Sequence, residues 1–107
     1  MDRQQQIEAF SLAAHRLAVA RIRARPAAAK EAIATVLRWR EQSDGPAHCE
    51  PYWREWERLL AGTMDALELA VCANDDHAAV LRSVSPLGRL LHRDERNRLL
   101  REAREPV

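Results

Sequence analysis

Between Gln4 and Arg25 no proline or glycine interrupts the chain, and Ile7, Phe10, Ala14 and Leu17 recur at spacings of three and four, which places them on one helical stripe. Leu12, Val19 and Ile22 fall on a second side of the same helix. A helix with two apolar sides is expected to touch more than one neighbour. Arg25-Pro26 ends this pattern, because the proline ring disfavours helical geometry at the residue before it and suits the first turn of a new helix. The second helix therefore starts near Pro26 and carries Ala28, Ile33, Val36 and Leu37 to about Glu41, with Trp39 near its end. Ser43-Asp44-Gly45-Pro46 is a cluster of breakers and predicts a flexible loop over about residues 43–50.

Pro51 opens the third helix, in which Tyr52, Trp53, Trp56, Leu59 and Leu60 make a dense apolar face. Gly62 is expected to close it as a left-handed cap, and Thr63 to cap the next helix, which carries Met64, Leu67 and Val71. One acid of Asn74-Asp75-Asp76 caps a short fifth helix from His77 to about Ser83. Ser85-Pro86-Leu87-Gly88 reads as a turn, and His92 or Asp94 starts a last helix with Leu99 and Leu100 facing inward. No strand alternation appears. The pattern predicts an all-α protein, a single compact bundle of about six helices, several short, forming one domain over residues 1–107.

Composition agrees with that architecture. Apolar types make up 47% of the 107 residues and charged types 31%, enough for one core without metal or disulfide staples. Sixteen of the 17 basic residues are Arg, and Arg and Ala are both good helix formers. No stretch approaches the roughly 18 apolar residues of a membrane span, and the polar start Met1 to Gln6 is unlike a secretory signal, so a cytoplasmic protein is expected. Cys49 and Cys72, with no CxxC, are expected to remain thiols.

The net charge of +1 hides a segmented distribution. Residues 1–40 hold eight basic and three acidic side chains, residues 41–76 hold two and nine, and residues 77–107 hold seven and four. Two readings follow: the acidic middle neutralises the basic ends within the molecule, or opposite faces meet partners of opposite charge.

Candidate chemistry is sparse. His15, His48, Cys49, Cys72, His77 and His92 lack the spacings of a zinc site, so no metal is expected. No GxSxG elbow is present, and Gly45, Gly62 and Gly88 lie too far apart for a phosphate-cradling loop. The expectation is a protein that is not an enzyme and carries no cofactor. Arg16, Arg21, Arg23 and Arg25 form a candidate basic face, which keeps DNA binding open as a secondary role. In the last helix Arg98 and Arg101 alternate with Glu95, Glu102 and Glu105 at spacings that favour intrahelical pairs instead. Four of the five aromatic residues lie between Trp39 and Trp56. Trp56 is expected in the core, whereas Tyr52 or Trp53, turned about 100° from its neighbour, is a candidate partner anchor.

Pro51-Tyr52-x-x-x-Trp56-x-x-Leu59-Leu60 followed by Leu81-Arg82-x-x-Ser85-Pro86-Leu87 and an Arg-rich terminal helix resembles small all-helical bacterial antitoxin-like proteins of toxin–antitoxin modules. An N-terminal His-Arg pair, here His15-Arg16, accompanies that pattern. Two departures are visible: Leu87 stands where the pattern prefers an aromatic, and Arg96-Asn97 where an aromatic is usual early in the last helix. The resemblance implies a non-catalytic member of a two-gene module that binds and neutralises a toxin-like enzyme, in some cases nucleotidyltransferase-like. It implies Tyr52, Trp53, Arg82, Ser85, Pro86 and Leu87 as partner-binding residues. The alternatives are a small helical DNA-binding regulator and a freestanding homodimeric domain.

Overall fold

The computed structural model describes residues 2–43 and 49–104; the expected loop residues 44–48, including His48, and Glu105 lie outside the described residues. Six α-helices are present among them: α1 (Arg3–Ala24), α2 (Ala27–Gln42), α3 (Glu50–Ala61), α4 (Met64–Val71), α5 (Asp76–Ser83) and α6 (Arg93–Arg104). No strand occurs among the described residues. The Cα radius of gyration is 13.9 Å, close to the roughly 13 Å of a compact chain of this length.

Helix α1 is the axis of the bundle. It opens with a reciprocal cap in which the Gln5 backbone N–H donates to Asp2 Oδ1 (2.8 Å) and the Asp2 N–H donates to Gln5 Oε1 (3.1 Å). It then packs against α2, α4, α5 and α6, as two apolar sides require. The inward stripe is Ala14, His15, Ala18, Val19 and Ile22, whereas Ile7 faces outward. Small residues on this stripe let the other helices approach closely.

Helices α2 and α3 pair across the acidic middle of the chain and bury Val36, Trp56 and Leu60. Trp56 is fully buried at the centre, and its indole N–H donates to the Leu81 carbonyl at 2.9 Å, so the largest core side chain carries no unpaired polar atom. Two short helices follow with the caps the sequence predicts: Thr63 Oγ1 accepts from the Ala66 N–H, and the Asp75 side chain accepts from the Ala78 N–H. Gly62 departs from expectation. Its φ of −93° is not left-handed, because the Gly62 N–H returns to the Leu59 carbonyl and closes α3 without a reversal of handedness. The expected turn at residues 85–88 continues into a 3-10 helix, Leu87–Leu90, whose Leu87 and Leu90 are buried.

Helix α6 lies along α1 and buries Leu99, with Leu100 half-buried beside it. Its first turn is fixed from inside the bundle, since Glu95 accepts from the His92 backbone N–H and both nitrogens of the Arg21 fork, at 2.8 and 2.6 Å. Arg21 also donates to the Leu90 carbonyl. Glu95 therefore does not join the expected intrahelical pairs; of those, Arg98 with Glu102 forms at 3.7 Å. No helix among the described residues is long and apolar enough to cross a membrane.

Candidate functional site

The segment from Leu81 to Leu87 stands as a wall between two concave surfaces. Four hydrogen bonds hold it in place. Trp56 grips the Leu81 carbonyl; Arg82, only 8% exposed, donates through Nη1 to the carbonyls of Val71 (2.7 Å) and Ala73 (2.9 Å); and Ser85 Oγ accepts from the Leu87 N–H at 3.0 Å. The Arg82 contacts satisfy carbonyls at the end of α4, where a helix leaves its last acceptors unpaired and favours positive charge. Within it, Pro86 and Leu87 are buried.

On one side of the wall, Trp39, Cys49, Trp53, Val84 and Ser85 line an open groove at the α2–α3 end of the molecule. Trp39 and Trp53 are half-buried with ring centres 6.1 Å apart, inclined at 42°. Two rigid rings thus line one side of the groove.

On the other side, Phe10, Ser11, Ala14 and His15 of α1, Arg82 and Ser83 of α5, Ser85, Leu87, Leu91 and Arg96 of α6 enclose a cavity of about 310 Å3. His15 is 8% exposed. Its Nδ1 lies 2.6 Å from the Ser11 carbonyl, which can only accept, so Nδ1 carries the hydrogen and Nε2 is a bare acceptor. That Nε2 is the one buried side-chain polar atom without a partner among the described residues. Burial lowers the His15 pKa below its ordinary value, and the nearby Arg82 charge adds to the effect, keeping the ring neutral. At the rim, the Arg96 guanidinium sits 5.5 Å from the centre of the Phe10 ring.

The residues singled out in the sequence are thus divided. Trp53 and Ser85 share the groove, whereas Arg82 and Leu87 line the cavity on the other side and the buried Pro86 lines neither. Tyr52 lies apart from it against His77, ring centres 6.0 Å apart, with His77 Nε2 at 2.9 Å from both Glu55 oxygens. The candidate basic face is broken up: Arg21 binds Glu95, Arg23 binds Asp65 and Glu68, and Arg25 binds Glu31, while Arg16 is exposed. Both Cys49 and Cys72 are free thiols, and burial raises the pKa of Cys72. Sequence reasoning missed His15 as a cavity residue, although the signal was present: residue 15 falls on the same stripe as 18, 19 and 22, a polar side chain among apolar ones.

No protein-family model matches this chain, and neither a curated protein nor a solved structure does.

Proposed function

We propose that the protein is a non-catalytic protein-binding module that neutralises a toxin-like enzyme encoded beside it, the antitoxin half of a toxin–antitoxin pair. The observation that carries this reading is the groove in which Trp39 and Trp53 stand half-uncovered beside Val84 and Ser85. Paired rigid aromatics next to an apolar edge are the residues that dominate interface energetics. The wall behind them is built from the same Leu81 to Leu87 segment that carries the resemblance to antitoxin-like proteins. Direct DNA binding through Arg16, Arg21, Arg23 and Arg25 is the weaker reading, since three of the four already hold carboxylates.

Co-expression with the product of the adjacent gene tests the proposal. A complex that copurifies, restores growth, and is weakened about tenfold or more by Trp53→Ala with the helical signal unchanged is the expected result. Absence of a complex at micromolar concentration, together with no rescue of growth, overturns it. A gel shift on the upstream promoter by the chain alone, steeply salt-dependent, would instead establish the regulator.

A further inference from the structure

We propose that the cavity between α1, α5 and α6 binds a small organic oxyanion, a phosphate or carboxylate on a compact, partly apolar body. This inference is independent of the partner groove on the other side of the wall.

Two features of the cavity specify that ligand. The first is charge. Arg82 and Arg96 both line the cavity, and no acidic residue does. Arg82 commits Nη1 to two backbone carbonyls; its Nε and Nη2 take no partner among the described residues, yet neither is a buried unpaired atom, so both keep access to solvent. Arg96 is exposed, makes no ion pair among the described residues, and is held over the Phe10 ring. Two guanidinium groups without a carboxylate are fitted to an oxyanion, whose oxygens accept from their N–H groups.

The second feature is size and lining. At about 310 Å3 the cavity stands at the small end of ligand pockets, larger than a phosphate ion needs, and Phe10, Ala14, Leu87 and Leu91 give it an apolar part.

The test uses the whole chain at constant ionic strength, titrated with phenyl phosphate, mandelate and neutral benzyl alcohol. Binding is followed by calorimetry. Saturable 1:1 binding of phenyl phosphate alone assigns phosphate esters, of mandelate alone assigns carboxylates, and of both assigns a site that takes either oxyanion. In each case benzyl alcohol should bind at least tenfold more weakly, and Arg96→Gln, at an exposed position, should weaken the anion about fivefold or more. The proposal is overturned if neither anion binds up to about 10 mM, if benzyl alcohol binds equally well, or if the folded Arg96→Gln chain binds unchanged.

Discussion

Replacing Arg82 by methionine keeps a long apolar stem in place but removes the charge that the carbonyls of Val71 and Ala73 rely on. Hydrogen bonds to charged groups contribute about 1.5–3 kcal/mol, so Arg82→Met is expected to lower unfolding free energy by about 2–4 kcal/mol in urea titrations. Arg82→Lys should recover only part of that, since an ammonium lacks the planar fork. His15 gives a second prediction, in pH. Its folded pKa lies below the ordinary 6.5, so below that pH the unfolded chain takes up the proton first and the folded chain loses stability until His15 itself protonates. His15→Gln should flatten that part of a plot of urea midpoint against pH. Sequence alone suggested outward roles for the Arg82 segment, because periodicity cannot show that a guanidinium caps a helix end ten positions earlier. Trp56 was legible, since its size and its place on the dense face of α3 leave no other site for it.

Helices α4 and α5 have eight residues each, too short to persist without their caps and the core beneath them. Asp75→Ala removes the acceptor for the Ala78 N–H and should cost about 1 kcal/mol, measured by thermal unfolding of the intact chain. Helix α6 depends on a tertiary contact. The Arg21 guanidinium, with help from the His92 backbone N–H, pulls the Glu95 carboxyl from 4.5 down to about 2. A carboxyl with a depressed folded pKa stabilises fully above its unfolded value, so this contribution is present above about pH 4.5 and disappears as the pH falls through about 2. Glu95→Gln should therefore abolish the acid sensitivity in that window, read as a flatter dependence of urea midpoint on pH. Element existence and the Thr63 and Asp75 caps were readable from local spacing. The 3-10 helix and the Glu95 pairing were not, because each is decided by residues far away in the chain.

At the scale of the molecule, the basic start of the chain is partly neutralised by the acidic middle. Arg23 of the basic start reaches Asp65 and Glu68 of the acidic middle, and Arg40 reaches Glu50 and Glu57 at 2.9 and 2.8 Å. Such pairs lie near the surface and contribute at most about 1 kcal/mol each. Raising NaCl to about 0.5 M should therefore lower the unfolding midpoint measurably, and Arg40→Met should reduce that salt sensitivity. The segment sums were visible in the sequence, whereas the choice of partners needed the fold, since Arg21 passes over the acidic middle entirely and binds Glu95, 74 positions away. That distance acquires a meaning during synthesis. At about 5–20 residues per second, Glu95 is made some 4–15 seconds after Arg21. Throughout that interval the nascent chain carries α1 with its α6-facing side uncovered, so a ribosome stalled before α6 would present chaperones and proteases with the one helix that α2, α4, α5 and α6 all pack against.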